Sequence, residues 1–284
     1  MKNQFKNYVL SFGIAFILVA GCNSGDKTKE KKFTTSTGKE ASVEVEAFDA
    51  VKVKDQIVET IRKMPSEKEI ATLLNEAGAS YIFDLTVPPE QVEKLLTKSD
   101  QSFGLGLYSF DLLYASVYNR GDKAAEISKV SEKIIDNLGL SDQLISSKND
   151  LGRIKANSNN KDSLDFLVTQ DINHYHQQMS KGEQPDVYAL SVIGSNVEGL
   201  YILSQVTLLA RNNAKLFDVM NKQTERVKLV FTLLEMMSGD ENIKPYYEQF
   251  KPVATIFEKN QKITEKELTQ IGPLMETFRK NILK

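Results

Sequence analysis

The stretch SFGLGLYSFDLLYASVYN, residues 102–119, decides the fold of this chain. Large apolar and aromatic side chains follow one another through it on every side of a helix, whereas a surface helix carries them on one stripe. A helix that is apolar all round is buried inside a domain. We therefore predict a central buried helix over residues 102–119, followed by a tight turn at residues 120–122.

Helical patterns extend on both sides of this stretch, from about residue 48 almost to the end of the sequence. Residues 124–138 carry an amphipathic pattern that returns from the turn, which predicts an αα-hairpin. A second hairpin is predicted where the apolar stretch 185–211 turns at residues 212–213 into another amphipathic pattern. The predicted fold class is all-α, a multi-helix assembly of αα-hairpins.

The apolar stretch 185–211 is long enough to raise the question of a membrane span. Asn196 and Glu198 lie near its middle, however, and polar or charged side chains at that depth are costly in lipid. We therefore predict that this stretch is a core helix of a folded domain.

Proline and capping signals predict where several helices begin and end. Pro65 closes the first helix, and Ser66 with Glu69 three residues later matches a capping box that would begin the second. Pro252 and Pro273 fall inside helical patterns, which they are expected to kink or divide.

A short repeat raises the possibility of a helical array. The tripeptide Gly-Leu-Tyr occurs at residues 106–108 and again at 199–201, each time in an apolar helix followed by a polar turn. The layout is similar to tetratricopeptide-type arrays, in which a small residue and a Tyr pack paired helices. That family repeats at about 34 residues, a period that this chain does not show. A helical array and an irregular bundle therefore remain open as alternatives.

The N-terminal segment has the features of a secretory signal. Lys2 and Lys6 precede an apolar run over residues 8–20, and small residues follow in LVAGC at residues 18–22. The apolar run is shorter than the roughly 20 residues that a membrane-spanning helix needs. It also ends without a basic stop-transfer cluster, which favours a signal peptide over an anchor.

Small residues followed directly by Cys22 resemble the lipobox of bacterial lipoproteins. This resemblance implies that the signal is cut before Cys22, which then becomes a diacylated N-terminus. The following residue is Asn23 and not the Asp that retains such proteins in the inner membrane of enteric bacteria, which implies the outer membrane. The predicted organisation is a signal peptide at 1–21, a lipidated flexible tether at 22–46 and a single α-helical domain at 47–284.

Composition excludes several classes of function. The net charge of −2 argues against nucleic acid, whose binding surfaces are basic. Cys22 is the single cysteine, so its lipidation leaves no thiol for disulfides, zinc sites or nucleophilic catalysis. We expect no cofactor, no metal and no nucleic-acid partner.

The candidate binding residues are acids and tyrosines within the apolar helices. Asp111 and Glu198 each lie among apolar neighbours, where a carboxylate is costly unless it is hydrogen-bonded or paired. One interpretation is a core hydrogen bond for each; the other is a shared cleft that Tyr108 and Tyr114 line. A hydrolase would require the two carboxyl groups about 5–10 Å apart in an open cleft.

The two histidines offer little chemistry in the sequence. His174 and His176 are two residues apart on a predicted helix, so they point in different directions and cannot share a metal ion. Asp171 and His174 have the spacing of a pair on one helix face. We expect both histidines on a solvated surface.

Three functional hypotheses follow. The preferred one is a lipid-anchored binding or scaffold protein of the cell envelope, with the membrane and an envelope protein as partners and without enzymatic activity. Residues 108–118 also resemble all-helical lipoproteins of Bacteroidota that have no assigned activity. The alternatives are a carrier of a small apolar ligand between helices and an envelope hydrolase that uses Asp111 or Glu198.

Overall fold

The computed structural model describes residues 29–34, 40–45, 49, 51–144, 150–210 and 213–284. Within the unit Asp49–Lys284 these residues form helices joined by short turns, so the predicted all-α fold is confirmed. Two 3₁₀ helices, Phe83–Leu85 and Pro89–Lys94, lie between α2 and α3. The α-helices are α1 (Lys54–Arg62), α2 (Lys68–Glu76), α3 (Lys98–Val117), α4 (Gly121–Asn137), α5 (Asp150–Ala156), α6 (Lys161–Met179), α7 (Pro185–Leu209), α8 (Ala214–Asn221), α9 (Thr224–Met236), α10 (Lys244–Lys259) and α11 (Glu265–Ile282).

The two apolar helices α3 and α7 form the centre of the domain. Their backbones touch at Gly106 and Gly194: a Cβ atom on Gly106 would lie 2.0 Å from the carbonyl oxygen of Ser191. A Cβ atom on Gly194 would lie 2.3 Å from the carbonyl oxygen of Phe103. Only glycine permits so close an approach of two helices. The crossing therefore depends on this glycine pair.

Other helices surround the central pair. α2, α4 and α6 pack on α3, whereas α1, α9 and α11 pack on α7. In a repeat array each unit contacts only its neighbours in sequence. Here α3 and α7 are separated by three helices along the chain and still share the most extensive helix contact among the described elements. The arrangement is therefore an irregular bundle rather than a tetratricopeptide-like array.

Helix α7 is long and apolar enough to cross a membrane by length and composition, but its apolar window is completely buried inside the domain. It is a core helix, as predicted. The predicted hairpins are also present, since α4 packs on α3 and both α8 and α9 pack on α7. The return of the second hairpin is divided into α8 and α9, where one helix was predicted.

Some helix ends differ from the predictions. The expected capping box at Ser66 is absent: α2 begins at Lys68, and no side chain caps its N-terminus. The Glu69 carboxylate instead accepts a hydrogen bond from a distant arginine described below. Pro252 and Pro273 lie inside α10 and α11, which they do not divide.

The segment 22–46, predicted as a flexible tether, contains a β-hairpin at its described residues. Strands β1 (Lys29–Thr34) and β2 (Glu40–Val45) pair antiparallel, with Lys29 opposite Val45. The prediction rested on the lack of enough apolar residues for a core. Strand pairing needs only backbone hydrogen bonds and suitable residues such as Val43 and Val45. Cys22 and the predicted signal peptide 1–21 lie outside the described residues.

Candidate functional site

The two acids predicted as site candidates come together between α3 and α7, where both side chains are completely buried. The Arg279 Nε donates a hydrogen bond to Glu198 Oε2 at 2.6 Å. The backbone N–H of Val87 donates to Asp111 Oδ2 at 2.7 Å. Arg279 also donates through Nη2 to the Leu85 carbonyl oxygen at 2.9 Å. Arg279 of α11 thus supplies the positive charge that pairs with Glu198 of α7.

Asp111 and Glu198 each affect the ionisation of the other. Burial raises the pKa of Asp111 well above its usual range, and the Glu198 charge raises it further. Burial also raises the pKa of Glu198, but Arg279 and a hydrogen bond with Asp111 oppose this. Each acid also has one buried oxygen, Asp111 Oδ1 and Glu198 Oε1, without a hydrogen-bond partner among the described residues. These opposing influences favour the neutral form of Asp111 beside a Glu198 carboxylate that Arg279 stabilises.

The predicted tyrosines belong to the same cluster. Tyr108 donates a hydrogen bond to the Pro88 carbonyl oxygen at 2.9 Å. The Tyr114 hydroxyl accepts one from the Ile82 N–H at 3.1 Å, and burial raises the pKa of Tyr114 to about 12. Together with Asp111, these tyrosines fasten residues 80–89 to α3. The cluster is a closed polar core, and the hydrolase hypothesis lacks the open cleft that it requires.

The asymmetry of the acid pair predicts different results for two neutral substitutions. Asp111→Asn retains an acceptor for Val87 and a donor for Glu198, so we expect a loss of stability within about 1 kcal/mol. Glu198→Gln removes the charge beside Arg279, and we expect a loss of about 2–3 kcal/mol. Urea denaturation of both variants at neutral pH measures the difference. Equal losses would contradict the placement of the proton on Asp111.

Asp111→Asn is also expected to change how the free energy of unfolding depends on pH. An acid whose pKa is raised on folding stabilises the protein below its unfolded pKa, and that stability is lost as the pH rises through the folded pKa. The contribution of Asp111 to the free energy of unfolding is therefore expected to fall as the pH rises above about 4. Asp111→Asn is expected to make that fall shallower, because residue 111 no longer ionises.

A cavity of about 400 Å³ lies elsewhere, between α1, α2, α6 and the central helices. Its volume is typical of sites for small molecules. The floor is apolar and the rim is polar. The lining includes Val58, Ile61, Arg62, Met64, Pro65, Ser66, Glu67, Lys68, Leu113, Thr169, Ile172, Asn173, His176, Gln177, Ser180, Tyr188 and Val192.

His176 lies in the wall of this cavity and not on a solvated helix face, which corrects the prediction for this histidine. Its Nε2 is 3.7 Å from the Glu67 carboxylate, and its Nδ1 is 3.1 Å from the Tyr188 hydroxyl. Burial lowers the pKa of the imidazole, but Glu67 more than offsets this, so the pKa of His176 lies above its usual value. Glu67 therefore favours the protonated form of His176.

The loop that carries Glu67 is held by Arg226, whose side chain is completely buried in α9. The guanidinium donates to the carbonyl oxygens of Pro65 and Ser66 at 3.2 and 3.0 Å, and to Glu69 Oε2 at 3.0 Å. It also donates to Asn196 Oδ1 at 2.6 Å and to Gln223 Oε1 at 2.7 Å. Arg226 is therefore a positioning residue for this side of the cavity.

The sequence analysis predicted neither the cavity nor the role of Arg226 in holding the loop beside it. The lining residues come from five helices and the loop before α2, so no local pattern unites them. One signal was present: Arg226 lies beside Val227 and one helical turn before Val230, both of which are buried. A charged side chain on the apolar face of a helix indicates a buried hydrogen-bond network.

No similarity to a known protein indicates what this site binds. Comparisons of the chain with protein-family models, curated proteins and solved structures found no match. What the domain does must therefore be inferred from its own residues.

Proposed function

We propose that this protein is a lipid-anchored binding protein of a bacterial cell envelope, attached through Cys22 to the outer membrane. The basic start, the short apolar run and LVAGC at residues 18–22 support the lipid anchor. Each buried methylene of an acyl chain contributes about 0.8 kcal/mol, and one chain alone holds only marginally. Two chains on one cysteine make the attachment stable.

The observation that carries the binding role is the cavity of about 400 Å³ beside His176. It combines an apolar floor with polar side chains that are already held in place, which is the usual character of a ligand site. Arg226 fixes the loop before α2 through buried hydrogen bonds, so little ordering remains to be done when a ligand binds. This geometry favours the small-ligand carrier among the hypotheses over a scaffold alone.

The hydrolase hypothesis receives less support. Asp111 and Glu198 are both completely buried, and Glu198 is paired with Arg279 at 2.6 Å. A substrate would have to open the contact between α3 and α7 before it met either acid. Their burial supports a role in the core.

The lipid anchor is tested by Cys22→Ser in a bacterial host that is supplied with a labelled fatty acid. The full-length protein is expected to carry the label, and Cys22→Ser is expected to lose it and to retain the uncut signal, because acylation precedes cleavage. Gel fluorescence and intact mass measure both changes. Asn23→Asp is a matched control that leaves the cysteine in place and should keep the label. Equal labelling of Cys22→Ser would remove the basis for the anchor.

The binding role is tested by purifying the full-length protein in its own membrane patch with a polymer that avoids detergent. Native mass spectrometry and solvent extraction are expected to recover a small molecule, and Ile172→Trp, which fills the cavity, is expected to lose it. If both proteins give identical extracts, the cavity is not a ligand site and the proposal fails.

A further inference from the structure

The rim of the cavity beside His176 carries charged side chains, whereas its floor is apolar. Leu113 and Val192 form a floor that is almost completely buried. At the rim lie Lys68, with 26% of its side chain exposed, and Arg62, with 70% exposed. A ligand that fits this gradient has an apolar body that points inwards and a polar head that stays near the rim.

The sign of the rim charge selects the head group. Arg62, Lys68 and His176 line the cavity, whereas Glu67 is the one acid among the described residues that line it. The Glu67 carboxylate already has a neighbour in His176, whose Nε2 lies 3.7 Å away. The acids that pair with the two rim cations, Glu59 with Arg62 and Asp165 with Lys68, do not line the cavity.

Both rim pairs are able to exchange partners. Glu59 and Asp165 are 51% and 30% exposed, so water reaches both pairs, and the more exposed pair of Arg62 with Glu59 contributes little free energy. The N-terminal end of α2 also faces the cavity through Lys68, and the positive end of the helix dipole adds to the positive charge there, although Glu67 at the N-cap offsets part of it. The rim is therefore better suited to an anionic head than to a cationic one.

The shape of the cavity limits the apolar body. Behind it lies a void of only about 10 Å³, lined in part by Ser109, Ser191 and Ser195. Ser195 is 1% exposed, and its hydroxyl has no partner among the described residues. Ser109 and Ser191 are hydrogen-bonded to Leu105 and Tyr175, but an apolar chain in this void would leave the Ser195 hydroxyl without a partner. The chain therefore ends at this polar neck and does not pass through it.

We infer that the cavity between α1, α2 and α6 binds a single-chain anionic amphiphile, with its chain on Leu113 and Val192 and its carboxylate or phosphate head at Lys68 and Arg62. This inference rests on the proposed binding role and names the chemical class of the ligand. The carboxylate and the phosphate share the chemistry that the rim recognises, and the experiment distinguishes them.

The test uses the full-length acylated protein in nanodiscs of zwitterionic lipid. Three labelled eight-carbon probes are compared by equilibrium dialysis below their micelle concentrations: octanoate, octyl phosphate and octyltrimethylammonium. Uptake by empty nanodiscs is subtracted. Octanoate and octyl phosphate are expected to bind at least about tenfold more tightly than the cation, and their order identifies the preferred head.

Ile172→Trp tests the location of the site. Ile172 lines the cavity from α6 and is only partly buried, so a larger side chain there fills the space without displacing the core. The sequence contains no tryptophan, so the new indole is a single fluorescent reporter. Blue-shifted emission shows that the folded protein holds the indole in the cavity, and octanoate binding is then expected to be lost.

Lys68→Gln tests the head group, with Lys133→Gln as its matched control. Lys133 is 48% exposed, pairs with Glu93 and does not line the cavity. Lys68→Gln is expected to weaken both anionic probes about fivefold and to leave the cation unchanged, whereas Lys133→Gln should change none of them.

The possible results distinguish a failure of this inference from a failure of the proposed binding role. Equal affinity for the cation, failure of both anions to bind, or octanoate binding that survives a blue-shifted Ile172→Trp would each overturn the inference. If the anions fail but Ile172→Trp still removes a co-purified molecule, the binding role stands and the ligand belongs to another class. If neither assay responds to Ile172→Trp, the binding role fails as well.

Discussion

Gly106→Val is expected to prevent the native packing of α3 on α7. A Cβ atom at this position would lie 2.0 Å from the Ser191 carbonyl oxygen and 2.6 Å from the Ser195 nitrogen. Both are backbone atoms of α7, so no rotation of a side chain relieves the overlap. The helices would have to separate along the most extensive contact of the domain. We expect a loss above about 4–5 kcal/mol, which is exceptional for one substitution.

The measurement is urea denaturation of the purified protein, followed by circular dichroism, with Gly106→Ala as a milder variant. Gly152→Ala is the matched control, because Gly152 lies inside helix α5 and a Cβ atom there meets nothing within 4 Å. This control is expected to gain up to about 1 kcal/mol from its better helix propensity. If Gly106→Ala and Gly152→Ala behave alike, α3 and α7 do not cross at Gly106.

Arg226→Met is expected to destabilise the domain by about 3–5 kcal/mol. The methionine retains much of the apolar volume but donates no hydrogen bonds. The carbonyl oxygens of Pro65 and Ser66 and the side chain of Asn196 then lose a donor within or beside the core. Groups that remain buried without a partner cost more than the original bonds contributed.

The control is Arg62→Met, which changes an arginine whose side chain is 70% exposed and paired with Glu59. Its effect on the unfolding free energy is expected to stay within about 1 kcal/mol. Arg226→Lys is also expected to be destabilising, because a single ammonium group cannot reach the separate acceptors that the guanidinium joins. An Arg226→Met protein as stable as the control would show that the network is not needed for folding.

The buried helices were predictable because their signal is local. Residues 102–119 and 185–211 are apolar on all sides, and the structure places them in α3 and α7 at the centre of the domain. The glycine contact was only partly predictable. The repeated tripeptide drew attention to Gly106 and Gly199 only as a possible repeat, and the structure brings Gly106 against Gly194.

Contacts between distant parts of the chain explain the remaining differences. Asp111 and Glu198 were identified as buried acids from their apolar neighbours, but their cation, Arg279, comes from α11. Likewise, the Ser66 and Glu69 pattern predicted a local capping box, and Arg226 uses both residues instead. A capping pattern predicts the hydrogen bonds that a helix end makes with its own residues. A buried guanidinium also needs hydrogen-bond acceptors, and it competes for the acceptors at the helix end.

The pairing of Glu198 with Arg279 also has a consequence for the order of folding during synthesis. The two residues are 81 positions apart, so the ribosome needs about 4–16 s to supply the cation after the acid has been made. During that interval a closed contact between α3 and α7 would bury the Glu198 carboxylate without its arginine. The nascent chain is therefore expected to keep its two central helices apart until α11 arrives, which makes the docking of α11 a late and committing step.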